Sequence, residues 1–414
     1  MTAIPFISAR IPSIATLGEE IAQIEGSGIF SNYGPVNTRF ETALRKQLFA
    51  GTGACMGVCN ATIGLMIAMK QAARRRPSGD SAPRYALMPA FTFAAAAQAA
   101  IWCGYVPLFC DIDATTWSAC PVSERRLIAE YGEAIDLIVP YATFGNCIDL
   151  AHYETLHQET GAGIVIDAAA SLGSLDENGA GFGAGFSQTI VYSMHATKTF
   201  GIGEGGVIYS GRQDAIDELR QMGNFGFGAP RSATMPGLNA KLPEMTALLA
   251  LHRLDDIEAI SERRHALARI YRARLDGLQM QQPRGLRPAY QFFPFLVPDS
   301  SPVDRTAVRA ELKARGVETG AYFSPHLMEQ PFLAERSRAD DLHTTDSIAS
   351  RIVSLPLWNG MTDDMVHEVC DAVLEICAPA VQTPIWSAMD MQSDQPIVTS
   401  RAHSMASTAR KEVA

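Results

Sequence analysis

Residues 189–206 read TIVYSMHATKTFGIGEGG, a short apolar run followed by a lysine and a glycine-rich loop. Continuous apolar runs alternate with helical patterns between residues 51 and 210, which indicates a mostly parallel sheet covered by helices on both faces. The last run follows its predecessor too closely for a helical crossover, which favours an antiparallel strand. We predict an α/β fold with a seven-stranded sheet, its strands lying at 54–59, 85–89, 107–111, 135–141, 164–167, 189–193 and 207–209.

The C-terminal half has a different organisation. Apolar residues at three-residue steps predict a long helix from Pro243 to Leu278. Beyond it we predict a smaller α+β domain with strands at 290–297 and 317–322 and helices at 303–315, 345–353 and 363–376. The predicted division is an N-terminal arm with a large α/β domain at 1–242, the linking helix with the small domain at 243–377, and a tail at 378–414. The tail lacks periodicity, which predicts disorder or a partner-dependent arm.

Composition excludes several classes of protein. With 47% hydrophobic and 19% charged residues, the chain is an ordinary globular protein. Its net charge of −10 argues against a nucleic-acid partner. No apolar stretch reaches the length of a membrane span, and the N-terminus does not resemble a signal peptide, so we expect a cytoplasmic protein. The eight cysteines are scattered without a CxxC pair, and we predict no metal site.

Two polar residues lie where predicted strands end. Lys198 follows a buried strand and precedes a glycine-rich loop. A desolvated lysine amine attacks carbonyl groups, which suits an aldehyde cofactor, although a surface lysine before a turn fits the same pattern. Asp167 ends another buried strand, where open α/β sheets bind ligands. A protonated pyridine nitrogen would satisfy its carboxylate, and capping of the next helix is the alternative.

Two further segments also follow strands. The NAT segment at 60–62 begins a helix, and its free N–H groups could hold an anion, with the Thr62 hydroxyl as one more donor. An ordinary helix cap is the alternative. Phe93 ends the segment MPAFTF and could cover a flat ring, or simply belong to the core. The order of the four segments and their places at strand ends carry more weight than any one of them.

Together these motifs make the chain similar to the DegT/DnrJ/EryC1/StrS family, the pyridoxal-phosphate sugar aminotransferases of fold type I. The resemblance extends from about residue 4 to residue 376. It rests on SNYGP at 31–35, NAT at 60–62, PAFTF at 89–93, IDAAA at 166–170, SMHATK at 193–198, NFG at 224–226, GLNAKLPE at 237–244 and SLPL at 354–357. The variants HATK, NFG and NAK look most like the branch that acts on nucleotide-linked 4-keto-6-deoxy sugars.

The resemblance implies a role for each matching residue. Lys198 would carry pyridoxal 5′-phosphate as a Schiff base and move the proton, and Asp167 would pair with the pyridinium nitrogen. Phe93 would cover one ring face. The phosphate would be held by Ala61, Thr62, Ser193 and, from the neighbouring subunit of a homodimer with shared active sites, Asn239. Loops at 33–35 and 322–326 would border the sugar-nucleotide pocket, which makes Tyr33, Tyr322 and His326 candidate substrate contacts. His195 is a candidate contact too, or a packed structural histidine.

One position departs from the family pattern. Three residues after the aspartate the family usually has Gln or His, whereas this chain has Ala170 beside the cofactor. The change would widen the pocket or alter activity. The leading hypothesis is amino transfer from glutamate to a keto-sugar, and a sugar dehydratase or eliminase of the same fold, or a non-catalytic sensor, are alternatives. The chain lacks GxGxxG after its first strand, which argues against a nicotinamide-dependent oxidoreductase.

Overall fold

All seven apolar runs of the N-terminal half are strands of one sheet in this computed structural model, which describes residues 3–73 and 82–378. Almost every residue of these strands is buried, which explains why the runs are continuously apolar instead of alternating. The predicted α/β class is confirmed. The seven strands are β1 Ala54–Val58, β2 Tyr85–Pro89, β3 Val106–Cys110, β4 Ile135–Ile138, β5 Gly163–Asp167, β6 Thr189–Ser193 and β7 Gly206–Ser210.

The strand order is β1-β7-β6-β5-β4-β2-β3-β9. β7 pairs antiparallel with both β1 and β6, as its short connection predicts, and the pairings among β2 to β6 are parallel. The eighth strand, β9 at Arg338–Ala339, was not predicted. It consists of two exposed residues that pair with β3 at the edge of the sheet, too few for an apolar pattern.

Helices cover both faces of this sheet. The helices are α1 Gly18–Ser27, α2 Pro35–Leu48, α3 Ala61–Ala72, α4 Ala94–Trp102, α5 Pro121–Tyr131, α6 Leu150–Thr160, α7 Gln213–Met222, α8 Glu244–Arg274, α9 Arg305–Ala314, α10 Pro331–Ala334, α11 His343–Arg351 and α12 Asp363–Cys377. One face of the sheet packs against α2, α5, α6 and the first half of α8, and the opposite face packs against α3, α4 and α7. None of the helices in the described part of the chain combines the length and the apolar content of a membrane span.

The C-terminal part matches its predicted pattern except at two strands. The long helix is α8, and β8 at Phe293–Leu296 pairs antiparallel with β10 at Ile352–Leu355. The first half of β10 was predicted as the end of a helix, because this strand has three apolar residues among its four and follows α11 without a break. The strand predicted at 317–322 is wrong: that segment is a loop with isolated bridges from Val317 to Ile4 and from Gly320 to Ser354.

A third buried cluster lies around β8 and β10, where α9, α12 and the second half of α8 pack against them. The described residues belong to one compact unit, and the domain boundary at residue 243 stays a prediction. The tail predicted at 378–414 lies outside the described residues, apart from Ala378.

Candidate active site

Asp167 and Lys198 lie close together at the carboxyl edge of the sheet. Asp167 is the last residue of β5 and is 2% exposed, and its Oδ1 accepts a hydrogen bond from the Ala169 N–H at 3.1 Å. Burial raises the pKa of Asp167 to about 6, against the effects of the Ala169 N–H and the Lys198 charge. Burial lowers the pKa of Lys198 to about 8, and the Asp167 carboxylate opposes that shift. Each group therefore tempers the cost of burying the other.

The loop between β6 and β7 holds Lys198 in place. Residues 194–205 fold back on themselves, with the Ala196 N–H donating to Gly203 O at 2.7 Å and the Lys198 N–H donating to His195 O at 2.9 Å. The Lys198 ammonium donates to Gln291 Oε1 at 3.1 Å. Gln291 was not predicted from sequence. The sequence feature that could have indicated it is the position of this polar residue inside the apolar run AYQFFPFL at 289–296.

A second group of donors lies at the start of α3. The helix begins directly after β1, and the Asn60 side chain caps it by accepting from the Ile63 N–H at 2.9 Å. Since the first N–H groups of a helix have no acceptor within the helix, those of Ala61 and Thr62 are free to face an anion. The pairing register places Ser193 opposite Gly206, and Gly206 opposite Val58, which brings the Ser193 hydroxyl to the same corner.

Gly206 lets the backbone segments approach closely at this corner. A Cβ atom at Gly206 would lie 2.9 Å from the Ala61 nitrogen and 3.0 Å from both the Asn60 carbonyl carbon and the Tyr192 carbonyl oxygen. A side chain at this position would therefore displace the start of α3, including the Ala61 N–H.

The other predicted cofactor contacts lie on the surface of this chain or close to Asp167. Phe93 precedes α4 and is 59% exposed, and Ala170 is buried three residues after Asp167. Asn239 is exposed, and its backbone carbonyl lies 3.9 Å from the Cys59 sulfur, near the start of α3. An exposed Asn239 is available to a second subunit, and its predicted contact with the phosphate of that subunit stays a prediction.

Two of the predicted substrate contacts already have partners within the chain. The Tyr33 hydroxyl donates to Arg220 O at 3.3 Å, and the Arg220 guanidinium lies 4.5 Å from the Tyr33 ring centroid. His195 is partly exposed, with Nδ1 2.8 Å from the Thr197 hydroxyl and Nε2 3.7 Å from Glu204. His195 stays in the lysine loop without a contact to Lys198 beyond its backbone, and its role as a substrate contact stays a prediction.

The 322–326 loop provides the other two candidates. Tyr322 stacks against both Phe6 and Phe292, with centroid distances of 5.9 and 5.2 Å, and these two rings also contact each other at 5.6 Å. His326 is only 3% exposed, and its Nε2 lies 2.9 Å from Asp346. Tyr322 is half-buried at the edge of this aromatic cluster, whereas His326 is buried. Their predicted roles at the substrate remain predictions.

The groups gathered here fit pyridoxal phosphate. Its aldehyde requires a buried amine, its pyridine nitrogen requires a buried carboxylate, and its phosphate requires a cluster of N–H and hydroxyl donors. Lys198, Asp167 and the corner formed by Ala61, Thr62 and Ser193 provide these three. Among residues 3–73 and 82–378, no group of three or more His, Cys, Asp and Glu side chains is placed to hold a metal ion. The fold and this set of groups together define a pyridoxal-phosphate enzyme of fold type I.

The particular family follows from comparison with known proteins. The model of the DegT/DnrJ/EryC1/StrS aminotransferase family matches residues 14–374, and the chain belongs to this family. The predicted class, a pyridoxal-phosphate-dependent aminotransferase, is thereby confirmed.

Relatives are similar over nearly the whole chain. Protein Rv3402c of Mycobacterium tuberculosis is 33% identical over 376 residues, which cover 90% of each chain. The GDP-perosamine synthase of Vibrio cholerae is 26% identical over 84% of this chain and 92% of its own. A crystal structure of a PLP-dependent aminotransferase from Bacillus cereus has 38% identity and a TM-score of 0.84, covering 90% of this chain and 99% of that one.

We expect Lys198 to react with aldehydes at a lower pH than an ordinary lysine does. Burial lowers its pKa from 10.5 to about 8, so the rate of pyridoxal attachment to cofactor-free protein should rise up to that pH and then level off. Asp167→Asn should move the midpoint of this pH dependence to lower pH, since the Asp167 carboxylate favours the protonated form of the Lys198 amine. Stopped-flow absorbance gives both midpoints. A midpoint near 10.5, or one that Asp167→Asn leaves unchanged, would contradict this account.

Gly206→Ala should weaken binding of pyridoxal phosphate more than binding of pyridoxal. The added Cβ would crowd the Ala61 N–H, and losing one hydrogen bond to a charged group costs roughly tenfold in affinity. Equilibrium titration with both ligands measures the difference. Gly18→Ala is the matched control, because a Cβ at Gly18 meets nothing within 4 Å. Equal losses for the two ligands would show that the corner does not bind the phosphate.

Proposed function

We propose that this enzyme transfers an amino group from an amino acid, glutamate, to the ketone of a nucleotide-linked 4-keto-6-deoxy sugar. The observation that carries the proposal is the pair formed by the buried Asp167 and the half-buried Lys198, with the pKa of Lys198 lowered to about 8. Membership of an aminotransferase family supports the reaction type. The name of the Vibrio cholerae relative, a GDP-perosamine synthase, supports a sugar nucleotide as the acceptor.

Asp167, Lys198 and Gln291 each have a distinct role in the proposed reaction. Pyridoxal phosphate, when bound, supplies an electron sink for the carbon that gains or loses a proton. Asp167 keeps a proton on the pyridine nitrogen, because its buried carboxylate gains most from a cationic neighbour. Lys198 takes the proton from the donor carbon and returns it on the acceptor side, and its lowered pKa suits both directions near neutral pH. Gln291 orients the amine through its hydrogen bond.

The remaining residues bind and orient. Phe93 would cover one face of the ring, and the free N–H groups and hydroxyls at the start of α3 would hold the phosphate. Ala170 would leave room on the other face, where the family usually has a larger side chain. The proposed cofactor contacts are Ala61, Thr62, Phe93, Asp167, Ala170, Ser193, Lys198 and Asn239, and the proposed substrate contacts are Tyr33, His195, Tyr322 and His326.

The active unit is a homodimer in which Asn239 completes the neighbouring site. Several large apolar side chains on this chain are exposed, and a second subunit would cover them. Phe30 and Met245 are 54% and 39% exposed, and they lie close together because the Glu244 N–H donates to Phe30 O at 3.0 Å. Phe93 at 59% and Phe225 at 47% are exposed as well. This exposure supports an interface next to the site.

Spectroscopy of the cofactor tests the proposal. Glutamate should convert the visible absorption of the lysine-bound cofactor into that of its amine form, and a 4-keto-6-deoxy nucleotide sugar should restore it. Enzyme that keeps its cofactor but responds to none of the common amino donors would rule out transamination. A sugar that loses water without amino-group uptake would favour the dehydratase instead.

A further inference from the structure

A cavity of about 160 Å³ lies between the end of α2, the segment 171–182 and the middle of α8. Its apolar walls belong to the buried cluster on the α2 and α8 face of the sheet, and they include Phe49, Leu172 and Ile257. The described residues that line it include neither Lys198 nor any residue of α3, which packs on the opposite face. An apolar protein cavity of about 150 Å³ holds one benzene molecule, so this cavity has room for a ligand with one ring.

Ser261, on α8, provides one unused hydrogen-bonding group in the wall of this cavity. The residue is 1% exposed, and its hydroxyl has no hydrogen-bond partner among the described residues. A serine inside a helix can donate to the carbonyl four residues earlier, here that of Ile257, but the Ser261 hydroxyl does not. A buried hydroxyl without a partner is costly, and an oxygen of a ligand in the cavity would remove that cost.

Arg287 provides a second unused donor. It precedes β8 and is 9% exposed, and its Nε is buried without an acceptor among the described residues. Its two terminal nitrogens bind both oxygens of the Glu258 carboxylate, with Nη2 at 2.7 Å from Oε2. Glu262 adds a second carboxylate 4.0 Å from Nη1. The charge of Arg287 is therefore already balanced, whereas its Nε–H remains available to a neutral acceptor.

The other hydroxyl groups in the wall have partners within the chain. Ser171 donates to Asn146 O at 3.0 Å, Ser174 donates to Gly145 O at 2.8 Å, and the Tyr192 hydroxyl donates to a backbone carbonyl of the wall itself. The fold therefore satisfies the hydroxyl groups around the cavity with the exception of Ser261. This contrast indicates that the Ser261 hydroxyl and the Arg287 Nε–H face a molecule that occupies the cavity.

The size, the donors and the charge of the cavity define the class of this molecule. We propose that the cavity binds a small uncharged compound with one apolar ring and an oxygen atom, which accepts hydrogen bonds from the Ser261 hydroxyl and the Arg287 Nε–H. A phenol has these features. An anion is disfavoured, because the single cation in the wall is paired with Glu258 and Glu262 is close to it. The site is separate from amino transfer and does not depend on the proposed function.

Fluorine NMR titration of the cofactor-loaded enzyme tests the site with three probes of nearly equal size. 4-Fluorophenol, which is uncharged at neutral pH, should bind saturably. Fluorobenzene lacks the oxygen and should bind about tenfold more weakly, since a hydrogen bond contributes roughly that factor. 4-Fluorobenzoate carries a negative charge and should not displace 4-fluorophenol. Glutamate should not displace it either, because the active site lies elsewhere.

Variants of Ser261 locate the binding site. Ser261→Ala should weaken binding of 4-fluorophenol about tenfold and leave binding of fluorobenzene unchanged, because only the hydroxyl is removed. Ser261→Leu should abolish binding of both, because the larger side chain fills the cavity. Ser350→Ala is the matched control, at an exposed serine on α11 whose hydroxyl donates to Ser347 O at 2.9 Å. Circular dichroism shows whether each variant is folded, and if Ser261→Leu does not fold, Ser261→Ala alone decides.

Three results would overturn the proposal. If 4-fluorophenol does not bind, the cavity holds water only. If it binds equally well to wild type and to the folded Ser261 variants, it binds elsewhere on the protein. If glutamate displaces it, its site is the active site. Each of these results leaves the proposed amino transfer unaffected, because that reaction is measured separately through the absorption of the cofactor.

Discussion

Lys198→Ala should abolish amino transfer and remove the visible absorption band of lysine-bound cofactor. The reason is that, in the proposed function, one amine serves two purposes, attachment of the cofactor and movement of the proton. A positioned acid–base group alone contributes on the order of 10²–10⁴-fold in rate. Pyridoxal phosphate should still bind without a covalent bond, because the Asp167 carboxylate and the start of α3 are unaffected. Single-turnover kinetics and absorption spectra measure both effects.

The control for this variant is Lys313→Ala, since Lys313 is an exposed lysine on α9. It should retain full activity and the normal spectrum. A Lys198→Ala enzyme that turns over at the wild-type rate would disprove the central assignment.

The central sheet was predictable because its strands are buried on both faces. Such strands carry continuous apolar sequences of five or so residues, and these stand out from helical periodicity. β9 and β10 were missed for opposite reasons. β9 has two exposed residues and leaves no apolar signal, whereas β10 is apolar but follows α11 directly and extends its pattern. The segment at 317–322 has a strand-like composition, yet only Val317 and Gly320 form β-bridges, each an isolated one.

The same distinction applies to the site. Lys198 and Asp167 were predictable because they occupy the ends of recognisable strands and belong to family motifs. Gln291 and Arg253 were not, although Gln291 accepts a hydrogen bond from the lysine and Arg253 donates one to Gly201 O in the loop that follows it. They come from α8 and from the segment before β8, 55 or more residues away in the chain. Helix periodicity assigns an arginine to a polar face, and tertiary packing alone makes that face the wall of a pocket.

Asp167→Asn is expected to reduce cofactor affinity and turnover together. Asparagine keeps the hydrogen bond from the Ala169 N–H, which donates to the same side-chain oxygen at 3.1 Å, so the local backbone should not change. The interaction that we expect to be lost is the proposed one between the Asp167 carboxylate and a protonated pyridine nitrogen. Hydrogen bonds to charged groups are worth about 1.5–3 kcal/mol, which corresponds to roughly ten- to a hundredfold in the dissociation constant of pyridoxal phosphate. Asp371→Asn, at an exposed ion pair on α12, should leave both quantities unchanged.

Although Asp167→Asn should weaken cofactor binding, it should not lower the free energy of unfolding of the cofactor-free protein. The pKa of Asp167 is raised from 3.8 to about 6, so its ionised form is disfavoured in the folded state. Two pKa units correspond to about 3 kcal/mol, and this cost is absent below pH 3.8, grows between 3.8 and 6, and is complete above that range. Because Asp167→Asn removes the cost, the variant should equal or exceed wild type in free energy of unfolding at neutral pH. Denaturant titrations of the cofactor-free proteins measure this. Lower stability together with unchanged cofactor affinity would make Asp167 a structural residue and overturn its assignment to the pyridine nitrogen.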